Sequence, residues 1–168
     1  QTAIDDAATM NITIQNNVMT ANANPAVSGS GITLSSSGDY SGSKIFNIGN
    51  NTINGANAKA INVNLGTTIA QGGTGTYTGT VTNNTIGTGG VVESGGFGID
   101  VLGNGGGTIT TAVTGNTIRQ FLGDHGIRVL HRDGSGRINA TMVNNPVAQP
   151  EPGGFNDVIV QSGATSGP

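Results

Sequence analysis

At 168 residues, with 30 glycines and neither cysteine nor tryptophan, the chain has room for one domain. A net charge of −3 and a charged fraction of 9% exclude an electrostatic nucleic-acid binder. The absence of cysteine excludes a disulfide framework and a thiolate metal site, and no stretch approaches the ~20 apolar residues that span a bilayer.

Taken from the start, Met10, Ile12 and Ile14 alternate with Asn11, Thr13 and Gln15, the period-two pattern of a strand within residues 1–20. Residues 20–30 form a loop of Asn, Pro, Gly and Ser, and a second strand runs from Gly31 to Ser35. Residues 44–54 repeat the first pattern and 59–65 the second. A third repeat spans 76–104 with a long loop at 87–97, a fourth spans 107–133, and a fifth runs from Arg137 to about Gly163. No window predicts a full helix; the single candidate is one helical turn over Ile118 to Leu122. No signal peptide is evident, and the start at Gln1 is read as a processed terminus or as part of something longer.

The organising motif is an apolar residue, any residue, Asn or Gly, Asn, any residue, apolar. Its second Asn falls at Asn17, Asn51, Asn84, Asn116 and Asn145, in steps of 34, 33, 32 and 29 residues. A Gly-Ile-x-Val-like segment answers each one, near Ile32, Ile61, Ile99, Ile127 and Val158. A fixed period of this size marks stacked repeats, here near 8–35, 44–66, 76–104, 107–133 and 136–163 within one domain over 1–168. A disordered chain, which the polar composition also suggests, has no use for a fixed apolar register.

Stacking the repeats gives four apolar columns. They are Ile14, Ile48, Val81, Val113 and Met142; Met19, Ile53, Ile86, Ile118 and Val147; Ile32, Ile61, Ile99, Ile127 and Val158; and Leu34, Val63, Val101, Val129 and Val160. Exposed rows of aliphatics form an aggregation surface, so these columns face inward, and each repeat buries its row against the next. The asparagines take structural work: Asn tolerates a left-handed bend, and stacked amides hydrogen-bond along a ladder.

On the Asn ladder, the short strand after it and the Gly-Ile-x-Val strand, the chain resembles the right-handed parallel β-helix proteins of the pectate-lyase-like kind, over about residues 8–163. The resemblance implies an all-β solenoid of about five coils, three strands to a coil, with an internal asparagine ladder. It implies that the long strand before each Asn is the second strand, the dipeptide after it the third, and the Gly-Ile-x-Val segment the first. The sequence style is similar to long repetitive regions of bacterial secreted and surface proteins. An extracellular or cell-surface location is expected on that basis. Neither the short polar start nor the end of the chain resembles the capping helix or crossing loop common in the family. Open ends invite end-to-end self-association.

Three functions follow as alternatives. A structural or adhesive module, part of a longer or stacking assembly, accounts for the low charge, the regular repeat and the uncapped ends. A polysaccharide-binding or lyase-like protein would use the one charged region. There Asp100 and Arg128 share an outward column on adjacent coils, flanked by Asp124, His125, His131, Arg132 and Asp133 in loops. An Arg beside a carboxylate binds an anionic sugar or assists proton abstraction; the plainer reading is a salt bridge between neighbouring strands. The acidic residues are too scattered for a calcium cage, and no spacing calls for a metal or cofactor. A threonine face like that of ice-binding solenoids is suggested by Thr13, Thr78, Thr80, Thr82, Thr110, Thr114 and Thr141. It is broken by Asn11, Ile45, Asn47, Ala112 and Val143.

Overall fold

The computed structural model describes residues 8–20, 29–36, 41–56, 58–66, 73–87, 96–119, 125–132, 134–148 and 155–163. In chain order the strands are β1 (Thr9–Gln15), β2 (Val18–Thr20), β3 (Ile32–Ser35), β4 (Ser43–Gly49), β5 (Thr52–Asn54), β6 (Ile61–Leu65), β7 (Thr76–Thr82) and β8 (Thr85–Ile86). They continue with β9 (Ile99–Gly103), β10 (Thr108–Thr114), β11 (Thr117–Arg119), β12 (His125–Arg132), β13 (Arg137–Val143), β14 (Val147–Ala148) and β15 (Phe155–Gly163). No helix occurs among the described residues.

These strands form three five-stranded sheets, ordered β1-β4-β7-β10-β13, β14-β11-β8-β5-β2 and β15-β12-β9-β6-β3. All pairings are parallel. Each pass visits the three sheets in turn, and the next pass pairs with it one repeat later. This is an all-β parallel solenoid. The expectation of about five coils is corrected to about three closed turns. The passes containing β4, β7 and β10 have neighbours on both flanks, whereas β1 and β13 carry half-exposed inner residues because each lacks a strand on one side. The helical turn expected from Ile118 is also corrected. Ile118 lies in β11 between Ile86 and Val147, where the column of apolar neighbours outweighs local propensity; Leu122 falls outside the described residues.

The four apolar columns pair residue for residue as the period predicts. Through the closed turns they are buried; at the far end Val158 and Val160 are 43% and 62% exposed. Two further inward columns run along the first sheet. One is Met10, Lys44, Tyr77, Ile109 and Ile138, and the other is Ile12, Phe46, Gly79, Thr111 and Ala140. Phe46 fills the room that Gly79 leaves, and a Cβ on Gly79 would overlap the Phe46 carbonyl and ring.

Two adjacent positions divide the work of the bend. The residue before each ladder asparagine takes the left-handed conformation: Asn16, Asn50, Asn83 and Asn144 at φ of 58°, 55°, 54° and 54°, and Gly115 at 69°. The expectation had given both tasks to the ladder asparagine. Instead the first residue turns the chain, and the second is free to aim its amide along the stack.

Candidate functional site

The answering motif is built by crowding. A Cβ at Gly98 would meet the Gly126 carbonyl oxygen and Ile118, and one at Gly31 would meet the Ala60 carbonyl oxygen and Ile53. Small residues there let the third sheet close against the second. The residue just before this position is then carried to the outside of the turn. In successive repeats that residue is Lys59, Phe97 and His125.

Two places on, after the inward Ile, the outward column reads Asn62, Asp100 and Arg128. The two columns meet. Arg128 donates from Nε to Asp100 Oδ1 at 2.8 Å and from Nη2 to Oδ2 at 2.9 Å. Lys59 Nζ closes on Oδ2 at 2.5 Å. The guanidinium lies over Phe97, with Cζ 3.8 Å from the ring centroid. Lys59 Nζ stands 5.7 Å from the same centroid, and the His125 ring is tilted against it at 5.9 Å. The planar fork of Arg suits both tasks, bidentate pairing and stacking on an aromatic face.

Asp100 is 0% exposed. Both its oxygens already accept from cations, and the carboxylate is shut off from solvent. Two cationic groups surround one carboxylate, which leaves a positive excess at the rim where Lys59 and Arg128 keep partial exposure. Chemically, this arrangement is a closed ionic cluster that ties three consecutive turns together.

The structure brings together Asp100, His125 and Arg128 from the sequence-based site. It separates the others. His131 belongs to β12, not to a flanking loop, and it faces inward: it is buried and packs at Gly103 and Gly136, where a Cβ would meet its ring. Alternation along β12 puts residues 127, 129 and 131 on the inner face, opposite Arg128. Arg132 ends the same strand and is exposed. Asp124 and Asp133 fall outside the described residues. Lys59 and Phe97 went unnoticed, although their position one residue before the small-residue motif, in line with His125, is a signal the repeat alignment carries.

The ladder asparagines, Asn17, Asn51, Asn84, Asn116 and Asn145, make a second polar system. In each of the first four, the backbone N–H and the side-chain amide both donate to Oδ1 of the next, at 2.9–3.1 Å. From the second onward, the amide also donates to a strand carbonyl one repeat back: Ile14, Ile48, Val81 and Val113. Asn51, Asn84 and Asn116 are buried and satisfied, as buried polar groups require.

A third buried group was not anticipated. Lys44 projects into the core at 0% exposure. Its Nζ donates to the Ser35 carbonyl at 2.8 Å and to the Tyr77 hydroxyl at 2.9 Å. Burial disfavours the ammonium and lowers its pKa from 10.5 to about 8.

Comparison with protein-family models, with curated protein sequences and with solved structures gave no match.

Proposed function

We propose that the chain is a structural or adhesive β-solenoid module of a bacterial cell-surface protein or extracellular fibre, in which turns stack end to end between molecules. The observation that carries this reading is the pair of open edges on the first sheet. Ile48, Val81 and Val113 are buried on its interior strands, whereas Ile14 on β1 and Met142 on β13, the two ends of the same column, are only half-buried. An apolar column that stops in solvent favours a further layer. The sparse charge supports the same role, since stacked copies of a highly charged module would repel one another. The alternative, polysaccharide binding or lyase-like cleavage at Asp100, His125 and Arg128, has weaker support because the Asp100 carboxylate is already taken by two cations.

Electron microscopy of the purified chain over a concentration series tests the proposal. Fibres that lengthen with concentration are expected, with an axial repeat near five strand spacings, roughly 24 Å. Isolated particles at every concentration would overturn it.

A further inference from the structure

The ladder has a direction. Each of the first four ladder asparagines gives N–H groups to the next Oδ1 toward the carboxyl end, so the two ends of the ladder differ chemically. At the amino end no described residue donates to Asn17 Oδ1, and the Asn17 amide turns one N–H back onto its own Gln15 carbonyl at 2.9 Å. In Asn51, Asn84 and Asn116 the corresponding N–H reaches a carbonyl one repeat earlier. At the carboxyl end, Asn145 donates to the Val113 carbonyl at 2.7 Å. Among the described residues its backbone N–H and second amide N–H meet no further Oδ1. Within that set one end of the ladder lacks a donor and the other lacks an acceptor.

The backbone bond made just before each ladder residue runs the same way, while the one just after it runs back, from Thr52, Thr85 and Thr117 N–H to Asn17, Asn51 and Asn84 O. Asn16, Asn50 and Asn83 N–H donate to Gly49, Thr82 and Thr114 O, and Gly115 N–H to Val143 O. Asn144, which has the same left-handed φ, is the next donor in that series. The flanking edge strands match as well. β1 and β13 are both seven residues long and occupy the same seven positions of the repeat, linked through the registers of β4, β7 and β10.

We propose that the occupant of the β13 edge is β1 of a second copy of this chain, in parallel and in the register of the repeat. This proposal rests on the stacking reading above and specifies its polarity and pairing. Arg137 faces Thr9 of the second copy, and Ile138 faces Met10. Ala140 faces Ile12, Thr141 faces Thr13, and Met142 faces Ile14. Asn145 donates its N–H and amide to Asn17 Oδ1 of the second copy. The amide of that Asn17 is released from Gln15 to reach the Met142 carbonyl. Small Ala140 against large Ile12 continues the alternation that sets Gly79 against Phe46. In the second sheet, Val147 covers Met19, and exposed Pro146 lies beside Val18, which is 77% exposed in the single chain. On the third sheet Ile32 and Leu34 are already covered at the amino end, so the junction is drawn along the first two sheets. Joining unlike ends is heterologous and does not close on itself, which gives an open filament. Joining like ends would set acceptor against acceptor or donor against donor.

Two experiments on the full chain test this. Ile14→Glu blocks the amino end and Met142→Glu the carboxyl end, both at half-buried positions, with circular dichroism checking that each variant folds. In sedimentation velocity each variant alone is expected to be monomeric, and an equimolar mixture to form a dimer and nothing larger. Dimers of either variant alone would mean like-end contact and would overturn the polarity. The second experiment uses exposed positions in a chain without cysteine, so it stands even if a Glu variant misfolds. Under mild oxidation, a Thr13→Cys, Thr141→Cys double variant is expected to give a ladder of cross-linked multimers. Cα partners about 4.8 Å apart lie within disulfide reach. Thr13→Cys paired with Asn139→Cys is expected to cross-link at least tenfold less. If the parent chain forms filaments but the first pair stays uncross-linked, stacking stands and this register fails. If the parent chain stays monomeric to millimolar concentration, both fail, and the β13 edge belongs to another occupant.

Discussion

Asn51 donates its backbone N–H and its side-chain amide to the same atom, Oδ1 of Asn84, at 3.0 and 2.9 Å. Asn84 repeats the arrangement onto Asn116. Asn84 thus joins the turns on either side of it through a buried set of bonds.

Replacing Asn84 with Ala strips the acceptor from two Asn51 donors, the side-chain donor from Ile48 O and one of the two donors from Asn116 Oδ1, which keeps the backbone N–H of residue 84. Unmade buried bonds cost about 1–3 kcal/mol each, so with partial relaxation Asn84→Ala is expected to lose about 3–5 kcal/mol. Asn17→Ala, at the exposed end, is expected to lose less than about 1 kcal/mol. Urea denaturation of the two variants gives the comparison; equal losses would contradict the distinction between interior and end.

Much of this fold was legible in the sequence because Ile, Val and Asn recur at matched positions, and pairing in parallel strands turns recurrence into contact. The two extra inner columns were less legible because their members are mixed. Lys44 sits between Met10 and Tyr77, and Gly79 between Phe46 and Thr111, so no single residue type marks them as inward. His131 misled for a similar reason. A titratable side chain near a run of charge reads as surface, and only the alternation of β12 shows that it shares a face with Ile127 and Val129. At the ionic cluster the Asp100 and Arg128 pairing followed from column arithmetic. Lys59 and Phe97 did not, because their reach around the strand edge depends on side-chain length rather than on register.

The Lys44 ammonium is charged in folded and unfolded chains below pH about 8, and its burial penalty is then fully present. Between pH about 8 and 10.5 the folded state gives up its proton first, the unfolded state holds more protons, and stability rises with pH. The gain is on the order of 3 kcal/mol. Urea midpoints at pH 7, 8, 9 and 10 should climb for the parent chain relative to Lys44→Met. Parallel curves would show that Lys44 does not titrate in this window.

Removing Asp100 leaves Lys59 and Arg128 facing each other without a counter-charge beside Phe97. Breaking a buried pair from one side costs about 3–5 kcal/mol, and Asp100→Ala is expected to fall in that range. Since the carboxylate is shielded from solvent, the loss should change little between low and high salt. A loss that vanishes in 1 M salt would mark the pair as a solvated surface contact.

Gly79 is constrained by Phe46 rather than by backbone angle. Gly79→Ala forces the Phe46 strand and ring to shift and is expected to cost about 1–3 kcal/mol. Combining it with Phe46→Leu should recover part of the loss, a coupling that a double-mutant cycle measures directly. Simple additivity would show that the two positions do not share the same space.

Successive ladder bonds span 34, 33, 32 and 29 residues, yet the long strands pair over the same seven positions from β1 to β13. Differences in repeat length are therefore absorbed outside the first sheet, including at the one-residue register shift where β12 pairs with β15. Lengthening a loop adds closure entropy that grows only with the logarithm of its length. The chain consequently behaves as a ruled frame into which a foreign peptide can be spliced between rungs, for instance between β6 and β7. The graft would be held at a fixed height along the axis while the turns above and below keep their alignment.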